Sequence, residues 1–432
     1  MISLGCPKNL VNSEEMLALL QDAGYLFTDD LTRADAVIIN TCAFIESAKT
    51  EAIERILEAA SYREENPGLK IIVSGCLAQR YADDIRAELP EVDGIMGTGS
   101  YSEVVSVVEA VIAGDKPTRR GAISAPLRDI PRAVSTGPNW AYLRIAEGCV
   151  NRCAYCIIPF LRGKFRSRTK ESVLEEARLL AASGVKELII VAQDITRYGI
   201  DLYGKPCLTE LLKELCKLDF RWVRLHYLYP ELIDDALIDE IADEDKIVKY
   251  LDIPIQHIND TILRRMNRRG TGEEIRSLFR KLRERIPGLV LRTSLITGLP
   301  GEGEAEFEEL CDFLREAKIE RAGVFPYSPE EGTPAALMPD RCSTEEAQRR
   351  AELCMEIQSE IMDGFAETFI GRELDVLVMG REPDGTPWGR SEYDSPDIDS
   401  RVIFSGDAAP GDMVRVRITS VDDGELIGEQ TD

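Results

Sequence analysis

The stretch that decides the fold of this chain lies at Tyr142–Arg168 and reads YLRIAEGCVNRCAYCIIPFLRGKFRSR. It places three thiols, Cys149, Cys153 and Cys156, within eight residues. Thiolates are soft ligands that favour iron–sulfur clusters, zinc or Cu(I). Structural zinc takes four ligands, but the next cysteine is Cys207 and both histidines are distant in sequence. Three thiolates on a four-iron cube leave one iron open for a ligand, so the spacing favours a catalytic cluster over three cysteines that only pack in a core.

Composition narrows the class of protein further. The chain has 432 residues, of which 44% are hydrophobic, enough for about two to four domains. No targeting segment and no long apolar run is visible, so we expect a soluble, cytoplasmic protein that makes no membrane contact. Its eleven cysteines are spread unevenly, which favours reduced, metal-binding thiols over disulfides. The formal charge of −25 argues against general adhesion to nucleic acid.

Residues 1–115 alternate short apolar strands with amphipathic helices, the pattern of a parallel α/β domain. Three of the predicted strands, Met1–Leu4, Ala36–Asn40 and Lys70–Val73, are each followed closely by a cysteine. The first strand is short enough to suggest a late start of the chain. The carboxyl ends of parallel strands meet at one edge of a sheet, where ligands bind. We therefore expect a second metal site formed by Cys6, Cys42 and Cys76; the alternative is three unrelated core cysteines.

Residues 116–138 are interpreted as a linker because they carry proline and glycine without sustained periodicity. Six apolar strands then predict a partial (βα)6 barrel over 139–366. Barrels of this kind gather their chemistry at the carboxyl ends of the strands. The candidates for cofactor binding at those ends, including a glycine-rich turn after the fifth strand, are Gln193, Asp194, Gln256, Ser294, Gly298 and Glu302. For each of them, a buried polar role in the scaffold is an equally good interpretation.

A basic run follows the thiol triplet in an otherwise acidic chain. It consists of Arg162, Lys164, Arg166, Arg168 and Lys170. Two interpretations stay open for it: it meets a carboxylate or a negatively charged cluster, or it is a solvated charged segment.

The C-terminal residues 367–432 contain short predicted strands separated by Gly, Asp and Pro turns, which indicates a small antiparallel OB-like β-barrel. A long amphipathic helix over 343–366 precedes it. The segment 367–432 has sixteen Asp and Glu against six Lys and Arg. Such a surface repels a phosphate backbone and attracts a basic protein. We expect this barrel to capture a substrate and to be dispensable for the chemistry of the larger one.

The combination of three N-terminal cysteines, the CxxxCxxC triplet and a small C-terminal barrel resembles the radical S-adenosylmethionine (SAM) methylthiotransferases over the full chain. The C-terminal barrel is then of the type called TRAM. Four stretches are similar to the branch that modifies an aspartate of ribosomal protein S12: SLGCPKNLVNSE at Ser3–Glu14, CIIPFLRGKFRSR at Cys156–Arg168, AQDITRYGID at Ala192–Asp201 and YSPEEGTPA at Tyr327–Ala335. The tRNA-modifying branch usually has GCQMN in the first motif and basic residues in place of Glu330 and Glu331. One departure from the family is LITGLPGEGEAEF at Leu295–Phe307, which replaces a commoner GFPGET-type run.

The resemblance implies two 4Fe–4S clusters, one on each thiol triad. The cluster on Cys149, Cys153 and Cys156 would bind SAM and cleave it to a 5′-deoxyadenosyl radical, which would abstract hydrogen from the β-carbon of the aspartate. The other cluster would present sulfur that is methylated by a second SAM. The implied partners are ribosomal protein S12 and an electron donor such as flavodoxin or ferredoxin. Three alternatives remain: a tRNA-adenosine methylthiotransferase of the same family, a different radical SAM enzyme, and a non-catalytic two-cluster electron carrier, which would normally ligate every iron.

Overall fold

The structure is a computed structural model that describes residues 1–137 and 139–431. The chain divides into two compact units. The first, called here the N-terminal unit, consists of Met1–Ser135, Ala146–Arg168 and Ser328–Ala336. The second, called the barrel unit, contains the rest of the chain. Because Ala146–Arg168 belongs to the N-terminal unit, both thiol triads lie in that one unit.

The N-terminal unit is built on a five-stranded parallel sheet whose strands lie in chain order. The strands are Ile2–Ser3, Ala36–Thr41, Lys70–Gly75, Gly94–Gly97 and Thr118–Arg119. The helices are Pro7–Asp22, Glu46–Ser61, Cys76–Glu88 and Val104–Ile112. Alternate side chains of the apolar strands enter two separate cores, one containing Ile39, Ile71 and Val73 and the other Ile38 and Ile72, because successive residues of a strand point to opposite faces. The parallel α/β fold predicted for this region is thus confirmed.

Two strands of this sheet were not predicted from the sequence. Gly94–Gly97 begins and ends with glycine, and Thr118–Arg119 has only two residues. The second lies inside the segment interpreted as a linker, where it pairs with Gly94–Gly97. The end of that segment is also held in place, because Arg132 forms an ion pair with buried Glu14 at 2.7 Å. The segment is therefore attached to the N-terminal unit by the strand Thr118–Arg119 and by the ion pair of Arg132.

Residues of Ala146–Arg168 fold back on themselves within the N-terminal unit. The strands Ala146–Glu147 and Arg166–Ser167 pair in antiparallel fashion, and the short helix Ile158–Arg162 lies between them in sequence. Ile157 and Leu161 are buried in the same apolar core as the strand residues Ile39 and Val73. The segment that carries the second thiol triad is thereby anchored to the sheet that carries the first.

The barrel unit contains six parallel strands in the order of the predicted partial barrel. They are Trp140–Arg144, Glu187–Val191, Trp222–Leu225, Ile247–Asp252, Val290–Thr297 and Arg321–Pro326. Helices of at least eight residues alternate with them: Lys170–Ala182, Leu208–Leu215, Asp235–Asp243, Gly272–Arg285 and Glu304–Ala317. Shorter helices are Ile200–Tyr203 and Asp260–Arg265. The helix Thr344–Glu367, whose first turn is capped by the Ser343 hydroxyl, then packs on Arg321–Pro326. No helix among the described residues is long and apolar enough to cross a membrane.

The C-terminal strands close into a five-stranded barrel around a core that includes Val376, Phe404 and Ile418. The strands are Glu373–Arg381, Pro387–Ser391, Val402–Ser405, Met413–Asp422 and Glu425–Gln430. Their pairing is antiparallel except for Val402–Ser405, which runs parallel to Glu425–Gln430 and closes the barrel. The predicted small barrel is confirmed, with one parallel pair that the sequence pattern did not reveal.

Buried charges join this small barrel to the six-stranded sheet within the barrel unit. Glu187 accepts hydrogen bonds from Arg224 and from Arg390, each at 2.6 Å. Arg321 donates to Asp394 at 2.8 Å, and the hydroxyl of Tyr250 donates to Asp399 at 2.6 Å. Removing the C-terminal barrel would leave these groups of the larger sheet without partners. The expectation that it is dispensable does not fit these contacts.

Candidate iron–sulfur and SAM site

The N-terminal thiols sit at turns that follow three neighbouring strands. Cys6 caps the helix Pro7–Asp22, Cys42 follows the second strand directly, and Cys76 begins the helix Cys76–Glu88. Gly5 adopts a φ of +84°, and a Cβ placed there would lie 3.0 Å from the Cys42 sulfur and 2.6 Å from its Cβ. Only glycine tolerates both that φ and that approach. The backbone of Gly5, just before Cys6, is therefore in direct contact with the Cys42 side chain.

The three thiols lie close enough to influence one another's titration. Burial is the largest of the causes that raise the pKa of Cys42 to about 12, and the nearby Cys76 and Cys6 contribute to that increase. Burial also raises the pKa of Cys76, with Cys6 adding to the increase and Arg162 opposing it. Isolated thiolates are disfavoured in such a place because burial penalises charge. A positively charged iron centre would compensate them, so this donor set fits a cluster.

The second triad lies on a tight loop. Gly148 has a φ of +84°, and a Cβ there would lie 2.3 Å from the carbonyl oxygen of Lys164. The Cys149 amide donates to the Gly163 carbonyl at 3.1 Å, and the Asn151 amide approaches the Cys149 sulfur at 3.5 Å. An amide directed at a cysteine sulfur is the kind of contact that iron–sulfur clusters exploit. Backbone hydrogen bonds thus help to fix the loop that carries the three thiols.

A single metal ion is not the group that these triads suit. Among the described residues, no three Cys, His, Asp or Glu side chains converge closely enough to hold one ion. Each cysteine of a four-iron cube binds a different iron, so its thiolates stand farther apart than the ligands of one ion. Three thiols per triad are the donor set of a four-iron cluster that keeps one iron open.

Three of the predicted SAM contacts are half-buried: Gln193, Gln256 and Ser294. The first two follow strands of the barrel unit, whereas Ser294, predicted at a strand end, lies inside the strand Val290–Thr297. The Gln256 amide donates to the Ser294 carbonyl at 2.9 Å, and the Gln256 carbonyl accepts from Ile296 at 2.8 Å. Gln256 has a φ of +72°, an uncommon conformation for a residue with a side chain. The backbone that positions this glutamine is strained, as often happens at ligand sites.

The other three predicted contacts already have internal roles. Asp194 is fully buried, accepts from Thr196 at 2.5 Å and forms an ion pair with Arg197. Glu302 accepts from the Gly298 amide and from Arg350, each at 2.9 Å. A Cβ on Gly298 would lie 2.4 Å from the Cβ of Ala347. The glycine at 298 therefore allows the helix Thr344–Glu367 to pack closely, and its contact with SAM stays a prediction.

Sequence reasoning placed Arg162 in a basic run but did not reveal the polar contacts that it makes within the N-terminal unit. Arg162 is buried and reaches Cys76, Asn9, Asn12 and Glu147. The first of the two interpretations of the basic run holds for this residue, and its signal was a cation placed six residues after Cys156.

Glu330, read from the sequence only as a mark of the family branch, is buried as well. It forms ion pairs with Arg80 at 2.6 Å and Lys49 at 3.2 Å. Just beyond it, the Ala335 amide donates to the carbonyl of Ala154, which lies between two cysteines of the second triad. The late loop Ser328–Ala336 therefore connects the helices of the N-terminal sheet to the loop of the second triad.

Three known families match successive parts of the chain. Uncharacterized protein family UPF0004 matches residues 1–97, the radical SAM superfamily matches 143–314, and the TRAM domain matches 370–430. Among solved structures, the radical SAM methyltransferase TsrM of Kitasatospora setae has a TM-score of 0.55 at 16% identity, covering 78% of this chain and 74% of its own. At that identity the likeness shows the fold alone. Fold and matched families together define a radical SAM enzyme with an added TRAM barrel.

Curated relatives narrow the class. The ribosomal protein uS12 methylthiotransferases RimO of Caldanaerobacter subterraneus and Pelotomaculum thermopropionicum are 48% and 49% identical to this chain, each over 99% of it and 98% of their own length. That of Geobacter sulfurreducens is 48% identical over 99% of this chain and 97% of its own. The chain belongs to the RimO family of radical SAM methylthiotransferases, and the resemblance found in its motifs is confirmed.

Proposed function

We propose that this protein adds a methylthio group to the β-carbon of an aspartate in ribosomal protein S12. It uses two 4Fe–4S clusters, with SAM as both methyl donor and radical source. The observation that carries the proposal is that two thiol triads, of the donor type that clusters need, occur in one compact unit. A sulfur carried by one cluster has to reach a carbon activated at the other, so two separated sites would not serve this reaction.

Different residues of the chain hold the clusters, orient SAM and support the site. Cys149, Cys153 and Cys156 hold one cluster and leave one iron for SAM, while Cys6, Cys42 and Cys76 hold the other. When bound, the clusters and SAM supply the electron, the radical, the sulfur and the methyl group. Half-buried Gln193 and Gln256, which follow strands of the barrel unit, orient SAM together with Ser294, which lies inside the strand Val290–Thr297. Buried Asp194 and Glu302 hold the supporting turns in place.

Charge on the C-terminal barrel favours a basic protein over tRNA. Five of its six arginines are paired with carboxylates: Arg381, Arg390, Arg401, Arg415 and Arg417. The sixth, Arg372, lies over the ring of Phe369 at 4.8 Å. Phosphate binding needs available cations, whereas exposed carboxylates attract Lys and Arg. Ribosomal protein S12 is therefore the partner we propose, in the cytoplasm, with flavodoxin or ferredoxin as electron donor.

The test is anaerobic reconstitution with iron and sulfide, followed by reaction with SAM, a reductant and either S12 or tRNA. Mass spectrometry should find the methylthio group on the S12 aspartate and none on tRNA adenosine; the reverse result would contradict the assignment. The Cys153→Ala chain should form no 5′-deoxyadenosine. The Cys42→Ala chain should still cleave SAM but transfer no sulfur, while the Cys216→Ala chain, altered at a buried thiol outside both triads, serves as the control.

A further inference from the structure

We propose that Arg162 is a positioning residue that joins the two cluster sites, and that its charge favours the reduced state of the cluster on Cys6, Cys42 and Cys76. The inference rests on the two clusters of the proposed function. The proposed role of Arg162 differs from those already described, because Arg162 neither binds iron nor contacts SAM.

Arg162 lies close in sequence to one thiol triad and contacts the other. It is the last residue of the helix Ile158–Arg162, which begins two residues after Cys156. Its guanidinium nevertheless reaches the other triad, with Nη2 3.6 Å from the Cys76 sulfur. A single side chain thus connects the segment of one triad to a thiol of the other.

The contacts of Arg162 leave it little freedom. Nη1 donates to Asn12 Oδ1 at 2.6 Å, and Nη2 donates to Asn9 Oδ1 at 3.0 Å. Both asparagines lie on the helix that Cys6 caps. The Asn9 amide is itself fixed, because its Nδ2 donates to the Leu4 carbonyl at 2.8 Å. The acceptors are therefore aligned in advance, and Arg162 holds the Cys6 helix against the segment of the second triad.

The guanidinium keeps its positive charge although it is only 3% exposed. A guanidinium stays protonated in proteins, and here it is held by its hydrogen bonds to Asn9 and Asn12. Glu147, 3.4 Å away, is its carboxylate partner. Hydrogen bonds to cluster sulfurs and nearby charge set the reduction potential of a cluster. A cation beside Cys76 stabilises the state with one more electron, so it makes reduction easier.

The redox test uses full-length protein in which Cys149, Cys153 and Cys156 are replaced by Ala, so that only the N-terminal cluster is reconstituted. Its potential is measured by redox titration followed by electron paramagnetic resonance. Arg162→Met should shift the potential to more negative values. Glu147→Gln, which removes the opposing charge, should shift it in the positive direction. Lys164→Met changes the net charge equally at an exposed position two residues away and should leave the potential unchanged.

The positioning role has its own readout in the two-cluster enzyme. Arg162→Lys keeps the charge but cannot reach all the acceptors at once. It should hold the potential near that of the parent while raising the ratio of 5′-deoxyadenosine formed to methylthiolated product. If Arg162→Met fails to bind iron, Arg162→Lys and Glu147→Gln decide the question in its place.

The outcomes separate the inference from the proposed function. A potential that responds to Arg162 and Glu147 no more than to Lys164, together with an unchanged product ratio, would overturn the role of Arg162. Absence of methylthiolated S12 from the parent enzyme would instead overturn the proposed function, and the redox shifts in the single-cluster protein would still be decisive for Arg162.

Discussion

Glu330 shows how much can depend on one buried carboxylate. Its side chain is 2% exposed and is shared by Arg80 and Lys49, which are 10% and 15% exposed. The Ser328 hydroxyl donates to its other oxygen at 2.8 Å. The carboxylate therefore fixes the late loop on the helices that carry the two cations. Because the same loop contacts Ala154, the ion pairs of Glu330 also help to hold the loop that carries Cys149, Cys153 and Cys156.

We expect Glu330→Gln to destabilise the protein by about 3 kcal/mol or more, since removing one partner leaves buried charges uncompensated. Chemical denaturation of the iron-free protein measures this change. The control is Glu331→Gln, an exposed neighbour whose replacement should stay within about 0.5 kcal/mol. Equal effects of the two substitutions would mean that the ion pairs do not hold the loop.

Acid should weaken the turn around Glu302. Burial would raise the pKa of Glu302, but His257, the Gly298 amide and Arg350 together lower it below its ordinary value. A carboxyl whose pKa is lowered by folding stabilises the protein above its unfolded pKa, and this contribution is lost as the pH falls through the folded value. The stability advantage of the parent over Glu302→Gln should therefore be constant down to about pH 5 and shrink as the pH falls below about 4.

Urea unfolding of the iron-free protein at several pH values checks this dependence. Glu308→Gln, at an exposed position of the following helix, is the matched control and should show no such narrowing. A constant difference between the parent and Glu302→Gln across the pH range would contradict the role given to the carboxylate.

At the scale of elements, the joint between the C-terminal barrel and the six-stranded sheet can be tested with one arginine. Arg390 is buried on fully buried Glu187, whereas Arg381 forms an exposed pair with Asp407. Arg390→Met should cost about 3–5 kcal/mol of stability, and Arg381→Met about 1 kcal/mol or less. Thermal unfolding measures both, and a loss of SAM cleavage by the first variant alone would show that the joint supports the larger barrel.

Elements with strong local patterns could be predicted from the sequence. Strands such as Lys70–Gly75 and Glu187–Val191 contain short apolar runs, IIV and LIIV, and the helix Thr344–Glu367 has a clear period and cap. Gly94–Gly97 could not be predicted because its glycines favour no strand and only its neighbours in the sheet define it. Pairing between distant segments, such as Val402–Ser405 with Glu425–Gln430, leaves no local signal either.

The candidate site divides in the same way. Cysteine spacing revealed both thiol triads, because cluster chemistry needs a fixed number of thiols. The contacts of Arg162 join residues as far as 153 positions apart, and no pattern within a short window reports such a distance. The same limit applies to the ion pair of Glu302 with Arg350, which are 48 positions apart.

For the whole molecule, charge should govern how the substrate is captured. Exposed Asp397, Asp422 and Asp423 are suitable for reversal to Lys, whereas Asp394 is buried on Arg321 and Asp399 on Tyr250, so neither can be changed without damage to the fold. The triple reversal should weaken binding of S12, and binding to the parent should itself weaken above roughly 0.1 M salt, where the Debye length is about 10 Å.

Fluorescence anisotropy with labelled S12 at several salt concentrations measures both effects. The control reverses Glu51, Glu54 and Glu65, three exposed acids near or on a helix of the N-terminal unit, and so matches the change in net charge. If both triple variants lost the same affinity, the attraction would be a property of the total charge and not of the C-terminal barrel.

The two arginine partners of Glu187 become available at different times during synthesis of the chain. Its two cations are separated widely along the chain: Arg224 follows it by 37 residues and Arg390 by 203. At the pace of translation, the second arrives on the order of ten seconds or more after the glutamate. The sheet that contains Glu187 is thus made early but acquires this partner only after 203 further residues have been synthesised. A nascent chain stalled before Arg390 therefore cannot complete the barrel unit.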